Sequence, residues 1–213
     1  MSGDLDGRTF LVTGANTGIG LATAREVARR GGKVWLACRS EAKARPVIDE
    51  IRRATGNDAV DFLALDLADL ASVRACARAY LDRGEPLHVL IDNAGLAGHR
   101  GLTRDGFELT FGTNHVGHFL LTTMLLPLLR ASRPARIVHV SSQAHFRAKG
   151  IDFEAVRRPT RTATGLHEYA VSKLANVLFN QELARRERDT GVTSYALHPG
   201  VIASDAWRRV PWP

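Results

Sequence analysis

The chain has 213 residues, of which 45% are hydrophobic and 24% charged. These proportions are ordinary for a soluble globular protein, and the length predicts a single domain over residues 1–213 with a sizeable core. No apolar run predicts a transmembrane helix, the N-terminus lacks a signal-peptide pattern, and two cysteines make no disulfide framework. We therefore expect a cytoplasmic protein with no membrane partner.

The formal net charge of +7 suggests nucleic-acid binding as one hypothesis. The basic pairs, however, fall near predicted helix C-termini, where cations complement the helix dipole. Examples are Arg29-Arg30, Arg52-Arg53 and Arg185-Arg186. They form no stripe interleaved with aromatic residues, so we expect no nucleic-acid partner.

Short apolar runs alternate along the chain with helix-period segments, which is typical of an α/β fold with a buried parallel sheet. The predicted strands are 8–14, 33–38, 59–66, 87–92, 135–141 and 192–198. The predicted helices cover about 18–30, 41–54, 69–82, 106–131 and 167–189. We expect a Rossmann-type, doubly wound sheet in strand order 3-2-1-4-5-6 with helices on both faces. The loop-rich stretch 147–165 is a functional flap or a surface insertion, and its place before the last helix favours a flap.

A glycine-rich segment, TGANTGIG (13–20), leaves the first predicted strand and opens the first predicted helix. Its three glycines allow a tight turn and bring backbone N–H groups close to a pyrophosphate, and the helix N-terminus adds partial positive charge. Turns also need glycine for steric reasons alone. The placement within a βαβ unit is what favours a dinucleotide site.

The end of the second predicted strand distinguishes the two nicotinamide cofactors. An acidic residue there would bind the ribose hydroxyls and repel a 2′-phosphate, but this chain has Cys38 followed by Arg39. A guanidinium can hold the phosphate through a charge-assisted fork. The sequence therefore favours NADP(H) over NAD(H), and the alternative is that Arg39 is only a solvated surface residue.

Several separate motifs, in order and spacing, resemble those of the short-chain dehydrogenase/reductase family. The resemblance runs from about residue 7 to residue 205. It is carried by TGANTGIG (13–20), LDL (65–67), NAG (93–95), TNHVGHF (113–119), VSS (140–142), YAVSK (169–173) and HPG (198–200). The segments LACRS, SSQAH and SKLANVLFNQELA look most like the retinol-dehydrogenase-like branch of that family.

The resemblance implies a set of catalytic residues. Tyr169 would protonate the alkoxide formed when a carbonyl is reduced, or act as the base in the reverse direction. Lys173 and the positive nicotinamide ring would lower the pKa of that phenol, which is about 10 in the free residue. Ser142 would hydrogen-bond the substrate oxygen, and Asn114 would hold a water that connects Lys173 to solvent.

The resemblance also implies contacts to the cofactor. Asp66 would contact the adenine, Lys173 would hold the nicotinamide ribose, and Pro199 and Gly200 would flank the nicotinamide. Together with the glycine-rich loop and Arg39, the predicted cofactor-binding residues are Gly14, Asn16, Thr17, Gly18, Ile19, Gly20, Arg39, Asp66, Leu67, Asn93, Ala94, Gly95, Tyr169, Lys173, Pro199, Gly200 and Ser204.

The sequence departs from the family pattern near its C-terminus. The threonine that usually follows HPG corresponds to Ser204, which keeps the hydroxyl. Family members also continue past the position of Pro213 through further helices and a seventh strand. Without that strand, the sixth predicted strand would be an unpaired sheet edge. The chain is either a shortened protein that covers this edge by association or a fragment of a longer product.

Five histidines, His115, His118, His139, His145 and His198, lie in or near the expected cleft. The first two are three residues apart and can share one helix face. A metal site would need further carboxylate or cysteine ligands. The resemblance assigns these positions to packing and cleft lining, so we predict no metal.

Together these patterns predict an NADP(H)-dependent oxidoreductase that interconverts a hydrophobic aldehyde or ketone and an alcohol. We expect a homodimer or homotetramer formed through helices 106–131 and 167–189, in which Val171, Leu174 and Leu178 would serve either the interface or the core. The alternative is a truncated cofactor-binding protein without turnover, acting as a redox sensor or an interaction partner.

Overall fold

The computed structural model describes residues 3–200. Its strands are β1 (Thr9–Thr13), β2 (Lys33–Cys38), β3 (Val60–Ala64), β4 (Val89–Asp92), β5 (Ala135–Val140) and β6 (Val192–Leu197). All neighbouring strands pair in parallel, in the order β3-β2-β1-β4-β5-β6. The predicted fold class and strand order are confirmed.

The helices connect consecutive strands and cover both faces of the sheet. They are α1 (Gly18–Arg29), α2 (Glu41–Thr55), α3 (Leu70–Leu81), α4 (Leu109–Phe111), α5 (Gly117–Ala131) and α6 (Leu166–Arg186). Within residues 3–200, no helix combines the length and the apolar character that a bilayer-spanning segment requires.

The alternation of side chains along β1 explains why helices are needed on both sides. Phe10 and Val12 pack in the cluster formed with α1 and α2, whereas Leu11 packs in the cluster formed with α3, α5 and α6. All five residues of β1 are buried. A strand with both faces covered carries a continuous apolar run, as the sequence shows here.

The strand order places the first and fourth strands side by side in the middle of the sheet. The chain leaves β1 toward one face and β4 toward the other, so a crevice opens at the carboxyl ends of these two strands. Gly14 follows β1 and Asn93 follows β4. The fold therefore brings the glycine-rich loop and the NAG motif to one edge of the sheet.

The long helix predicted at 106–131 differs from the observed structure. The helical segment begins at Leu109, and a π-helical turn at Gly112–Val116 separates α4 from α5. A π-turn shifts the hydrogen-bond pattern by one residue and often marks a functional site. Asn114, a predicted catalytic residue, lies in this turn.

The loop-rich stretch 147–165 follows a short 3₁₀ turn at Gln143–Arg147, which ends on its first residue, and contains a second one at Ala155–Arg157. Its later part is anchored by buried polar contacts. Thr160 donates a hydrogen bond to the carboxylate of Glu108, and the Glu108 N–H donates to the carbonyl of Val156 at 2.8 Å. Within 147–165 only Arg147 lines the cleft, which favours the surface-insertion alternative over the flap.

Basic residues lie in the last turns of α1, α2 and α6, as predicted. Two of the three sites carry local ion pairs: Arg29 pairs with Glu26, and both Arg185 and Arg186 pair with Glu182. The positive charge is therefore spread over separate helix ends.

Candidate active site

A cleft of about 970 Å³ opens where β1 and β4 end. It collects predicted site residues that are far apart in the sequence. Those lining it are Gly14, Asn16, Thr17, Gly18, Ile19, Arg39, Asp66, Leu67, Asn93, Ala94, Gly95, Ser142, Tyr169, Lys173, Pro199 and Gly200.

Of the predicted site residues that the structure describes, two are not in that lining. Gly20 lies inside α1, where an added Cβ would be only 2.5 Å from both the side-chain nitrogen Nδ2 of Asn93 and the Gly14 carbonyl oxygen. This glycine therefore allows the helix to approach the loop. Asn114 is fully buried behind the cleft. Ser204 lies outside the described residues.

The glycine-rich loop has the geometry that a pyrophosphate requires. Gly14 and Gly18 have φ of 65° and 55°, in the left-handed region that favours glycine. Helix α1 has no acidic residue in its first turn, and the Thr17 side chain does not cap its first N–H groups. Those N–H groups and the helix dipole are thus available to an anion at the cleft.

The adenosine end of the cleft carries a cation next to a neutral thiol. Arg39 is exposed and lines the cleft directly after β2. Burial raises the pKa of the Cys38 thiol to about 11, so the position where an acidic residue would repel a 2′-phosphate is uncharged at neutral pH. Asp66 lines the cleft, and one of its carboxylate oxygens accepts a hydrogen bond from Ala68 N–H.

Tyr169, Ser142 and Lys173 converge at the other end. The side chains of Tyr169 and Ser142 hydrogen-bond to each other, and both residues are 8% exposed. One turn along α6, Lys173 donates a 2.7 Å hydrogen bond from Nζ to the Val140 carbonyl. The Ser141 hydroxyl donates to the Lys173 carbonyl at 3.0 Å. The end of β5 is thereby fixed against the first turns of α6.

Burial changes the pKa values of Tyr169 and Lys173 in opposite directions. It raises the pKa of the Tyr169 phenol, and the hydrogen bond with Ser142 opposes that rise. It lowers the pKa of Lys173 to about 8. The raised pKa of Tyr169 is opposite to the lowering that the resemblance implies, and its cause is burial of the phenol. The Lys173 ammonium lies 5.6 Å from the centroid of the phenol ring. The contribution of a positive nicotinamide ring stays a prediction.

Asn114 holds the loop that follows the NAG motif. Its Oδ1 accepts from Leu96 N–H at 2.9 Å, and its Nδ2 donates to the Leu96 carbonyl at 3.0 Å and to the Ser172 hydroxyl at 3.1 Å. Its backbone carbonyl accepts from His118 and Asn176. The predicted water on Asn114 would have to use the remaining lone pair of Oδ1, which faces Gly95.

Several residues that line the cleft were not predicted from the sequence. They are Leu96, His99, Leu109, Thr113, Gln143, Ala144, Phe146 and Arg147. Three of them, Leu96, Thr113 and Gln143, directly follow or precede a predicted site residue, and the carboxyl ends of parallel strands meet at one edge. The residues after Ser142 could have been found from that rule, but Leu109 could not, because its approach depends on where α4 begins.

The histidines occupy different environments. His198 lines the cleft. His118 and His139 are buried behind it, and Nδ1 of His139 lies 3.0 Å from Asp92. Among the described residues, no group of three or more His, Cys, Asp or Glu side chains is placed to hold a metal ion.

A Rossmann-type sheet, a phosphate-binding loop and a Tyr-x₃-Lys pair in the same cleft define a dinucleotide-binding protein of the dehydrogenase class. The short chain dehydrogenase family model matches residues 8–155. The chain belongs to the short-chain dehydrogenase/reductase family.

Curated relatives confirm the resemblance to the retinol-dehydrogenase-like branch. The chain is 50% identical over 211 residues to human dehydrogenase/reductase SDR family member 13, covering 98% of this chain and 55% of that relative. It is 49% identical over 206 residues to human retinol dehydrogenase 12, and this match covers 96% of the present chain and 65% of that relative. The chain thus spans between about half and two thirds of the length of these relatives.

Solved structures of similar proteins share the fold. A protein from Mycobacterium paratuberculosis has a TM-score of 0.78 and 40% identity, covering 93% of this chain and 70% of that one. Pseudomonas aeruginosa RhlG, in its NADP active-site complex, has a TM-score of 0.77 and 26% sequence identity, and the match covers 96% of this chain and 76% of RhlG. The 3-ketoacyl-(acyl-carrier-protein) reductase from Brucella melitensis, complexed with NADH, has a TM-score of 0.76 and 25% sequence identity. That match covers 97% of this chain and 80% of the reductase.

Proposed function

We propose that this protein is an NADP(H)-dependent oxidoreductase that interconverts a carbonyl and an alcohol, with Tyr169 as the acid and base. The observation that carries the proposal is the joining of two sites in one cleft. The Tyr169–Ser142 hydrogen bond and Lys173 lie at one end, and the loop suited to a pyrophosphate lies at the other. A dinucleotide bound on that loop would extend toward the phenol.

The residues of the cleft divide the chemistry among them. When bound, the nicotinamide supplies the hydride for reduction or accepts it for oxidation. In reduction, Ser142 donates a hydrogen bond to the substrate carbonyl oxygen, and Tyr169 transfers its phenolic proton to that oxygen as the carbon becomes tetrahedral. The Lys173 ammonium stabilises the phenolate that remains. In oxidation, the same phenolate removes the hydroxyl proton.

The preference for NADP(H) is supported by the pair at the end of β2. Arg39 supplies an exposed guanidinium at the cleft, and Cys38 is neutral. A 2′-phosphate would gain a charge-assisted hydrogen bond there without meeting a carboxylate. Of the two cofactor complexes reported above, one holds NADP and the other NADH, so they support a nicotinamide cofactor without selecting between the two.

A hydrophobic aldehyde or ketone is the substrate class we propose. Leu96, Leu109 and Phe146 give the cleft an apolar lining, and Phe146 is 80% exposed. The name of the similar human retinol dehydrogenase 12 points to a large apolar alcohol as the substrate of that relative. An apolar wall beside Ser142 is suited to the same class of molecule.

The test uses the 213-residue chain and three measurements. Fluorescence titration gives the dissociation constants of NADPH and NADH. Loss of NADPH absorbance is then followed with a panel of apolar aldehydes and ketones. The third measurement repeats both assays on Tyr169→Phe, which removes one hydroxyl and keeps the ring.

We expect NADPH to bind more tightly than NADH and to be oxidised by at least one apolar carbonyl. In Tyr169→Phe, kcat should fall by roughly 10²- to 10⁴-fold, the range for a lost general acid, with the NADPH dissociation constant nearly unchanged. Turnover that survives this change would refute the assignment of Tyr169. Binding without turnover on any substrate would favour the redox sensor over the enzyme.

We also propose self-association through α5 and α6. Val171 is buried with Phe111 and Val156, so it belongs to the core. Leu178, by contrast, is 46% exposed, and Phe119 is 45% exposed while its ring lies 4.8 Å from that of Phe179. Leu178→Glu should shift the mass measured by light scattering to that of a monomer. An unchanged oligomer would reject this face.

A further inference from the structure

A buried hydrogen-bond chain behind the cleft runs through Thr13 and His118. The Thr13 hydroxyl accepts hydrogen bonds from the backbone N–H groups of Asn93 and Ala94, both at 2.9 Å. The same hydroxyl lies 2.8 Å from Nε2 of His118. Nδ1 of that ring lies 2.9 Å from the carbonyl oxygen of Asn114. His118 is only 2% exposed, so solvent does not compete for these contacts.

The groups at the two ends of this hydrogen-bond chain determine the direction in which each hydrogen bond is donated. A backbone carbonyl can only accept, so Nδ1 of His118 carries the hydrogen. In the neutral ring Nε2 is then an acceptor. The Thr13 hydroxyl donates its one hydrogen to Nε2 at 2.8 Å in preference to the Ile91 carbonyl at 3.4 Å, and its lone pairs accept from the two backbone N–H groups. A protonated ring would compete with those donors for the same oxygen. Burial lowers the pKa of His118, with nearby Asp92 opposing that shift, which is consistent with a neutral ring.

Each contact ends on a segment that shapes the cleft. Thr13 is the last residue of β1 and the first of the glycine-rich segment 13–20, which is the phosphate loop. Asn93 and Ala94 line the cleft after β4. Asn114 lies in the π-turn and holds the loop after Gly95. His118 is therefore the one described side chain that hydrogen-bonds both the end of β1 and the π-turn carbonyl.

We propose that His118 is a positioning residue whose neutral imidazole holds the phosphate loop, the Asn93–Gly95 segment and the Asn114 turn in one arrangement for the cofactor. The proposal rests on the proposed function, because it assigns the cleft to a dinucleotide. His118 itself lies outside the lining of the cleft and acts through Thr13 and Asn114.

The test compares four single variants, and the double variant His118→Leu/Thr13→Val, by two readouts. His118→Leu removes both ring contacts, Thr13→Val removes the hydroxyl, and Thr13→Ser keeps it. His88→Leu is the matched control, because His88 Nδ1 accepts from Thr9 N–H at 3.0 Å and so holds the other end of β1, away from the cleft. The readouts are the NADPH dissociation constant and the hydrogen-exchange rates of the Asn93 and Ala94 amides.

We expect His118→Leu and Thr13→Val each to weaken NADPH binding by about 10-fold, the effect of one lost buried hydrogen bond. Both should also accelerate exchange of the two amides. The double variant should be no worse than either single one, because the residues act as a unit. Thr13→Ser should behave as the unaltered protein, and His88→Leu should leave both the NADPH dissociation constant and the exchange rates of the two amides unchanged.

Unchanged NADPH affinity and amide exchange in a folded His118→Leu protein would overturn the proposal, as would an equal effect of His88→Leu. Failure of the proposed function has a different signature. In that case NADPH binds without turnover, or does not bind, and amide exchange at Asn93 and Ala94 still decides whether His118 positions this segment.

Discussion

Lys173 donates a 2.7 Å hydrogen bond from its ammonium to the backbone carbonyl of Val140, joining α6 to the end of β5. The bond places a buried cation one residue before the Ser141-Ser142 pair. Because Lys173 is only 4% exposed, its charge is costly, and this cost has a measurable pH dependence.

Raising the pH above neutrality should stabilise the folded protein through Lys173. Burial lowers the pKa of this lysine from 10.5 to about 8. Between these values the unfolded chain binds more protons than the folded one, so the free energy of unfolding rises with pH. Below pH 8 the cost of burying the charge is fully present, and it is relieved as the pH approaches 10.5.

The measurement is urea denaturation from pH 7 to pH 10.5 of the unaltered protein and of Lys173→Met. The free energy of unfolding of the unaltered protein minus that of Lys173→Met should rise by up to roughly 3 kcal/mol over this range. Lys43→Met, which removes an exposed lysine of α2, is the control. A difference that falls with pH, or the same rise with Lys43→Met, would contradict the burial argument.

Gly20→Ala should destabilise the protein although alanine favours helices. The added Cβ would lie 2.5 Å from the side-chain nitrogen Nδ2 of Asn93 and 3.0 Å from the Ala15 Cα atom, so the helix must move away from the loop. We expect a loss of about 1–3 kcal/mol in the free energy of unfolding, typical of overpacking. Gly95→Ala is the matched control, since its Cβ would meet nothing closer than 3.5 Å. Equal thermal midpoints for the two variants would reject this interpretation.

Arg130→Ala should cost far more stability than its exposed position suggests. Arg130 forms a two-pronged hydrogen bond, at 2.8 and 2.6 Å, with the carboxylate of Glu187, whose side chain is fully buried. Removing the guanidinium leaves that carboxylate buried without its cation, which costs about 2–4 kcal/mol for a pair with one exposed partner. Arg185→Ala breaks the exposed pair with Glu182 and should cost under about 1 kcal/mol.

Chemical denaturation of both arginine variants at pH 7 measures this contrast. Adding Glu187→Gln to Arg130→Ala should recover part of the loss, since the buried charge is then gone. The pKa of Glu187 is lowered, chiefly by Arg130, so the pair contributes stability above the unfolded pKa and loses it as the pH falls. Similar losses for Arg130→Ala and Arg185→Ala would show that burial of Glu187 is unimportant.

The fold could be predicted from the sequence because its signals are local. Buried strands carry apolar runs, and glycines end α2 and open the crevice after β1. The predicted helix at 106–131 was wrong in its start and continuity, because both depend on tertiary contacts. The helical segment begins at Leu109, after Glu108, whose carboxylate accepts hydrogen bonds from the Thr160 hydroxyl and from Phe111 N–H. The spacing of apolar residues gives no sign of a π-turn.

Site prediction succeeded where a motif lies at the end of a strand and failed where a contact joins distant segments. Asn93 and Ser142 line the cleft because parallel strands end at one edge. The contact between Thr13 and His118 spans 105 residues, and nothing in the spacing of TNHVGHF distinguishes His118 from His115. Burial decides their roles, and burial is a property of the folded chain.

Arg39→Ala should change which cofactor the protein prefers. Arg39 is exposed beside the cleft, and a 2′-phosphate would gain a charge-assisted bond there, worth about 1.5–3 kcal/mol. We expect the NADPH dissociation constant to rise by roughly 10- to 100-fold and that of NADH to stay unchanged.

Removing a nearby charge away from the cleft separates a specific contact from a general field. Lys43→Ala deletes one positive charge on the exposed face of α2 and should leave both dissociation constants unaltered. Cys38→Asp is the complementary change, because it puts a carboxylate where the neutral thiol now lies and should shift the preference further toward NADH. Equal losses of NADPH affinity in Arg39→Ala and Lys43→Ala would mean that net charge, and not the guanidinium, attracts the phosphate.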